Sequence, residues 1–190
     1  MATWKIDPLH SDVHFKTRYL VISSVSGEFK EFEGTIETSH DDFANARIRF
    51  SAQTASICTN NDKRDEDLRH SDFFDVSKFP TLIFESDAFA PQADSEYVLM
   101  GRLTIKGGTK PVTLKVISGG RNTDPDGMER AGFEVSGSIN RYDYGLVWSL
   151  LTESGAIILG EEVKIHANIQ LVRVATAKSP SSEVLHHVET

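Results

Sequence analysis

Residues with the types needed for covalent catalysis lie near the N-terminus, where Asp7, His10 and Ser11 fall within one short segment. A serine hydrolase needs an oxyanion hole and a sharp turn that presents the nucleophile, and no Gly-x-Ser-x-Gly pattern surrounds Ser11. Asp and Ser at the start of a strand more often bind backbone amides of a turn. The sequence therefore predicts a protein that is not an enzyme, and catalysis by this cluster is kept as a rival hypothesis.

Two further groups of residues have the types found in metal sites. His10 and His14 are four positions apart, which on a strand separates them by about 13 Å, too far to share one ion. The acidic segment from Asp62 to His70 lacks the glycine and terminal glutamate of a calcium loop. The single cysteine, Cys58, excludes an intramolecular disulfide and a cysteine-rich metal site. We therefore expect neither a metal nor a cofactor.

Charge and hydropathy exclude several classes of partner. The 190 residues include 20 Lys and Arg against 28 Asp and Glu, a net charge of −8, whereas a nucleic-acid-binding protein needs a basic surface. No apolar run is long enough to span a bilayer, and the N-terminal residues do not show the pattern of a secretory signal. We expect no nucleic-acid partner, no stable membrane insertion and a cytoplasmic protein, or a periplasmic one if a signal has been removed.

The elements that position any site follow a period of two. Apolar and polar residues alternate over 46–53, 112–116, 133–140 and 163–171, a pattern typical of antiparallel strands with one dry face. Long strands in sequence order favour a closed barrel, because closure removes exposed edges. The sequence thus predicts an all-β antiparallel barrel of about eight strands. The predicted strand segments are 4–7, 12–19, 25–38, 44–54, 79–90, 96–106, 109–121, 129–141 and 161–174.

One segment departs from the alternation. Residues 61–70 are polar, with asparagine at the start as a helix cap and acidic residues in the first turn, which predicts one short surface helix. The pair Phe73 and Phe74 follows and is expected to plug one end of the barrel. Residues 1–175 are expected to form the barrel, and 176–190 a Ser- and Thr-rich C-terminal tail.

The inward faces of the predicted strands combine bulky side chains with glycine and alanine. This mixture suits either a solidly packed interior or a tunnel for one slender apolar ligand, and the sequence leaves both open. Arg141, at the end of a strand, is a candidate for binding the polar head of a ligand, with a structural pairing to an acid as the alternative. From the alternation, the predicted tunnel lining is Phe15, Phe29, Phe50, Phe84, Leu103, Phe133, Ile139, Trp148 and Ile165.

The connection from Gly145 to Gly160 is unusually apolar for a loop, since it contains several Leu and Ile residues as well as Trp148. Loops are normally polar and exposed, so this segment must bury its side chains. A barrel plug, a lid over a ligand and a dimer contact are the three interpretations.

Several of these stretches resemble the YceI-like family of bacterial polyisoprenoid-binding proteins. The resemblance covers about residues 4–172, in order. Its most specific part is the block from Arg64-Asp65 to Asp72-Phe73-Phe74-Asp75. The motifs that carry the rest are Trp4-x-Ile6-Asp7-x-x-His10-Ser11, Val25-Ser26-Gly27-x-Phe29, Phe79-Pro80-x-Leu82-x-Phe84, Gly101-x-Leu103-Thr104-Ile105-x-Gly107 and Arg141-x-x-x-Gly145-Leu146.

The resemblance implies an extended lipocalin-like barrel with an internal tunnel. It implies non-enzymatic binding or transport of a long apolar lipid: a polyisoprenoid, a polyprenyl phosphate, a quinone tail or a similar amphiphile. It also implies a homodimer. The alternative is a structural or interaction protein with a filled barrel, which acts through a dimer or partner interface.

Overall fold

A computed structural model of the protein describes residues 1–20, 22–39, 43–148 and 158–174. The predicted tail, 176–190, lies outside these ranges. Within them, no helix has the length and apolar composition needed to cross a bilayer. The elements are the strands β1 (Ala2–Ile6), β2 (Asp12–Tyr19), β3 (Ser23–Phe29), β4 (Phe32–Thr38), β5 (Arg47–Gln53), β6 (Ile57–Cys58), β7 (Thr81–Ala93), β8 (Glu96–Ile105), β9 (Gly108–Thr123), β10 (Glu129–Asn140) and β11 (Leu159–Arg173), and the helix α1 (Asp62–Arg69).

These strands form one closed antiparallel barrel with eight positions around its circumference. Both β1 and β2 pair with β11 and act as one interrupted strand. The next position is shared by β3, which pairs with β2, and β4, which pairs with β1. The position after it is shared by β5, which pairs with β4, and β6, which pairs with β3. From β7 to β11 each strand pairs with the next. The predicted barrel of about eight strands is confirmed.

The predicted single strand over 25–38 is wrong, because a side chain interrupts it. The backbone amide of Glu31 donates to Ser56 Oγ at 3.0 Å, and that of Lys30 to the Ser56 carbonyl at 3.2 Å. Ser56 belongs to a 3₁₀ turn, Thr54–Ser56, which breaks the neighbouring strand at the same height. The two interruptions lie side by side, so the hydrogen-bond ladder bends without leaving amides unpaired.

Helix α1 confirms the helix predicted over 61–70. Asn61 caps it by accepting a hydrogen bond from the Arg64 amide at 3.0 Å. The buried carboxylate of Asp65 accepts from both the amide and the hydroxyl of Thr59, at 2.8 and 2.6 Å. Arg69 donates to the carbonyls of Ala55 and of Ile57, the first residue of β6. These bonds hold the helix against one end of the barrel.

Inward-facing glycines do not leave empty space, because neighbouring side chains lie over them. A Cβ added at Gly27 would lie 2.4 Å from Phe15 Cζ, and one at Gly137 would lie 2.5 Å from Leu114 Cδ2. At Gly101 the added atom would lie 2.5 Å from Phe84 Cζ and 2.4 Å from the Glu85 carbonyl oxygen. Small and large residues therefore pack against each other between adjacent strands.

We expect Gly101→Ala to lower the free energy of unfolding by about 1–3 kcal/mol, because overpacking forces side chains and backbone to shift and the Glu85 carbonyl belongs to the strand ladder. The matched control is Gly132→Ala, also in a strand, where an added Cβ meets nothing within 4 Å; it should be neutral or slightly stabilising. Urea unfolding of both variants measures the difference. Equal stability of the two would contradict the packing described for Gly101.

Candidate ligand cavity

A cavity of about 770 Å³ lies inside the barrel, and each of the eleven strands contributes to its wall. The wall is predominantly aliphatic and aromatic. All nine residues predicted as tunnel lining lie on it, and Arg141 does as well. The ladder registers show why, since Phe50 is opposite Phe84, Phe84 is opposite Leu103, and Ile165 is opposite Phe15. Contact of these side chains with a ligand remains a prediction.

The size and chemistry of the cavity suit one long apolar chain. Ligand sites in proteins typically measure about 300–1,000 Å³, and this cavity falls in that range. Because one water molecule accounts for about 30 Å³ of liquid, the volume holds about 25 groups of that size. Burial of each methylene from water contributes about 0.8 kcal/mol. A flexible hydrocarbon chain that fills this cavity therefore gains the most binding free energy from burial.

One end of the cavity is closed by aromatic rings. Phe43 lies on the cavity wall, with its ring centroid 4.9 Å from that of Phe133 and 5.2 Å from that of the buried Trp4. The Arg121 guanidinium covers the outside, 4.7 Å from the Phe43 ring and 5.3 Å from the Trp4 ring. This stack of two rings and a cation forms a floor that limits how far a chain can extend.

The opposite end carries α1, the buried pair Phe73 and Phe74, and polar residues of the cavity wall. Phe74 contacts Phe29 edge-on, with centroids 6.1 Å apart. Tyr19 and Trp148 line the cavity here and are also exposed to solvent. We call this end the mouth.

Arg141 is almost fully buried at the mouth, and its guanidinium bonds to the protein itself. Nε donates to the Gly160 carbonyl at 2.8 Å. Nη1 donates to the carbonyls of Leu146 and Trp148, and Nη2 donates to the Leu159 carbonyl and the Tyr142 hydroxyl. Within the described part of the chain, these five acceptors surround the guanidinium, whose N–H groups all act as donors. Burial lowers the pKa of Arg141, and the side chain joins the 141–148 segment to the start of β11.

A second arginine at the mouth, Arg64, is a site candidate that the sequence did not predict as a ligand-binding residue. It is half-buried on the cavity wall, with Nε 2.7 Å from Thr59 Oγ1 and Nη2 2.9 Å from the Thr59 carbonyl. Among the described residues no carboxylate lies within 4.0 Å of its guanidinium nitrogens. The sequence did contain a signal for this position. Arg64 is four residues before Leu68, so the two share one face of the helix, and Leu68 also lines the cavity.

The N-terminal cluster holds a turn together. Asp7 accepts from His10 Nδ1 at 2.9 Å and from Arg130 at 2.7 Å, and these bonds lower the pKa of Asp7. Ser11 Oγ accepts from the Gln170 amide at 2.9 Å. Ser11 thus pairs with Gln170 of β11 and His10 with Asp7, so in the described ranges no hydrogen bond joins the side chains of His10 and Ser11.

The apolar connection is described only at its two ends. Leu146 is buried on the cavity wall, and Leu159 also faces the cavity. Residues 149–157 lie outside the described ranges, so the plug, lid and dimer interpretations of that segment remain predictions. Across the described residues, no three His, Cys, Asp or Glu side chains are grouped so as to hold a metal ion.

Comparison with known proteins agrees with this geometry. A UPF0312 protein of Staphylococcus aureus (strain bovine RF122) is 33% identical over 171 residues, which cover 90% of this chain and 97% of the relative. The crystal structure of BcnA from Burkholderia cenocepacia has the same fold, with a TM-score of 0.75 and 22% identity over 87% of this chain and 98% of that chain.

A polyisoprenoid binding domain from Saccharophagus degradans also shares the fold. Its TM-score is 0.63 and its identity 13%, over 90% of this chain and 98% of that domain. The family model described as the YceI-like domain matches residues 4–171, nearly the whole barrel. The chain is therefore a member of the YceI-like family.

Proposed function

We propose that this protein binds or transports a long apolar lipid in the barrel cavity, without catalysing a reaction. The candidates are a polyisoprenoid, a polyprenyl phosphate, a quinone tail or a similar amphiphile. The observation that carries the proposal is the apolar cavity of about 770 Å³, which ends at the Phe43 floor and has polar side chains on its wall at the mouth. Membership of the YceI-like family and the fold shared with a polyisoprenoid binding domain support lipid binding in general.

The difference between the two ends of the cavity supports one orientation of the ligand. The floor at Phe43 offers aromatic rings beside aliphatic side chains, so the hydrocarbon tail lies there. A polar head left in that part of the cavity would lose its hydration without gaining partners. The head is therefore at the mouth, beside Arg64. Arg141 remains a predicted head-group residue, although binding a head group directly requires it to exchange one of its present carbonyl partners.

The primary experiment is organic extraction and mass spectrometry of the purified protein, followed by titration with an isoprenoid alcohol of about 20 carbons, chosen to match the cavity volume. We expect one chain bound per protein. Ile165→Trp, which adds an indole to the middle of the cavity wall, should weaken binding at least about tenfold by removing space for several methylenes. Thr113→Phe, on the exposed outer face of β9, is the control and should bind normally.

If neither extracted lipid nor added isoprenoid binds, the carrier proposal fails. The rival is then the interaction protein that acts through a dimer or partner surface. That rival requires a change in oligomeric state or partner capture when exposed apolar residues at the mouth are altered, with no effect of Ile165→Trp.

Chain length tests the floor. We expect affinity to rise across alcohols of about 10 to 20 carbons, because each buried methylene adds stabilisation, and then to stop rising once the chain reaches Phe43. Phe43→Ala should move that limit to longer chains. Phe43→Leu, which is less disruptive to folding, should move it less. Phe15→Leu changes a ring in the middle of the cavity wall, opposite Ile165, and should leave the limit in place. An identical shift of the limit in Phe43→Leu and Phe15→Leu would contradict the floor.

The head-group role of Arg64 is tested by pairing two ligands with the same tail. Arg64→Gln should weaken binding of an isoprenoid phosphate about tenfold or more, because a charge-assisted hydrogen bond is lost. It should leave binding of the matching alcohol nearly unchanged. Arg69→Gln removes a similar arginine that also bonds to carbonyls but does not line the cavity. Equal losses for phosphate and alcohol would assign Arg64 to structure alone.

A further inference from the structure

Exposed apolar side chains concentrate at the mouth of the barrel. Five of the twelve exposed large hydrophobic residues in the described ranges lie there. Ile22 is 97% exposed, Val147 60% and Trp148 44%, and Tyr19 and Leu20 are exposed to a similar degree as Trp148. We call these five residues the rim. Soluble surfaces carry single exposed apolar residues routinely, whereas a cluster indicates an interaction site.

The rim is a single structural unit, although its residues come from two separate parts of the chain. The amide of Leu20 donates to the Ile158 carbonyl at 2.6 Å. Arg141 donates to the carbonyls of Trp148 at 2.9 Å and Leu159 at 3.1 Å. The segment with Leu20 is therefore bonded to Ile158, and the segment with Trp148 is joined through Arg141 to Leu159, the first residue of β11. The buried arginine holds the rim together.

The rim is also continuous with the cavity. Tyr19 and Trp148 each present one part to the cavity wall and another to solvent. An apolar chain leaving the cavity thus passes from wall to rim without crossing a polar belt on that side. Tyr and Trp combine an apolar ring with one polar group, a combination that favours the boundary between water and the bilayer.

We propose that the rim docks on a lipid bilayer surface and places the mouth of the cavity against the membrane. This inference rests on the proposed function, because a long apolar lipid has negligible solubility in water and has to be exchanged with a lipid phase. Ile22 and Val147 insert among the headgroups, and Tyr19 and Trp148 lie at their level. The contact is peripheral and reversible, since a few side chains provide far less burial than a spanning segment.

Charge beside the rim favours a zwitterionic membrane as the partner. Lys16 and Arg18 are exposed on β2 below the rim, and Asp143 and Glu161 are exposed on the other side. Opposite signs leave little net attraction for anionic lipid, and the whole chain carries −8. Insertion of apolar side chains therefore drives docking, and added salt, which screens charges, should change it little.

The test is flotation of the full-length protein with phosphatidylcholine vesicles. We expect a measurable fraction to float, at low salt and at about 0.5 M salt alike. The double variant Ile22→Ser/Val147→Ser alters two rim residues that do not line the cavity; it should reduce the floated fraction about tenfold. Its uptake of an isoprenoid alcohol from detergent solution should stay unchanged, which shows that it is folded.

The matched control is Leu9→Ser/Met128→Ser, which removes two exposed apolar side chains elsewhere. Leu9 lies in the turn between Ile6 and Asp12, which pair with Leu171 and Asn168 of β11, about ten residues along the strand from Leu159. Met128 precedes β10 at the closed end. This control should float as well as the unaltered protein. Equal flotation of both double variants would overturn the assignment of the rim.

Other outcomes separate docking from ligand binding. Protein that takes up isoprenoid from detergent but never floats overturns docking and leaves the proposed function standing. Protein that floats through its rim but takes up no isoprenoid supports docking and overturns the proposed function. In a third outcome, the unaltered protein is a dimer that does not float, and the Ile22→Ser/Val147→Ser variant is a monomer. This result would show that the rim binds a second copy, and it would overturn the membrane proposal.

Discussion

The pairing of β1 with β11 is the constraint on which the rest of this structure depends. Only three residues of β1 take part, with Trp4, Lys5 and Ile6 opposite Arg173, Val172 and Leu171, yet they close a sheet that otherwise has two free edges. Closure sets the number of strands around the circumference at eight, and an eight-strand barrel encloses a space just wide enough for side chains or one slender ligand. The polar cluster after β1 supports this closure, because the Asp7 amide donates to the Gln170 carbonyl and Ser11 accepts from the Gln170 amide.

A closed barrel of this size can pack solidly, and the glycines explain why an open space remains here. Phe15 lies over Gly27 on the neighbouring strand, and Phe84 lies over Gly101. Each ring therefore extends sideways along the wall instead of inward to the axis. Replacing either glycine with a larger residue removes the place where the ring lies. The glycines keep the centre open indirectly, by letting their large neighbours lie flat.

The period of two was sufficient to predict the barrel and its inward faces, because a closed sheet has water on one side and apolar contacts on the other. For that reason the eight predicted lining residues that belong to strands all reach the cavity wall. Trp148, the ninth, reaches it from the connection before β11. Features that depend on backbone groups far apart in sequence were not predictable. The carbonyls of Trp148 and Gly160 that bond to Arg141 carry no side-chain signature, nor does the Ser56 contact that divides β3 from β4. Arg64 lies among acidic residues of a polar helix, and that setting does not indicate a place on the cavity wall.

The two ends of the barrel differ in how they are stabilised, and this difference gives the cavity a direction. At the floor, Arg121 and Arg173 lie over the ring of Trp4 from outside, and the indole N–H of Trp4 is buried without an acceptor among the described residues. Packing and cation–π contact therefore hold that end together. Trp4 does not line the cavity, and the rings that line it there, Phe43 and Phe133, carry no hydrogen-bonding group for a polar part of a ligand. At the mouth, Arg141 satisfies a set of main-chain carbonyls, and Arg64 is half-buried on the wall. A molecule that matches both ends must be apolar at its tip and polar at its other end. The asymmetry of the barrel thus favours an amphiphile that enters tail first over a symmetric hydrocarbon.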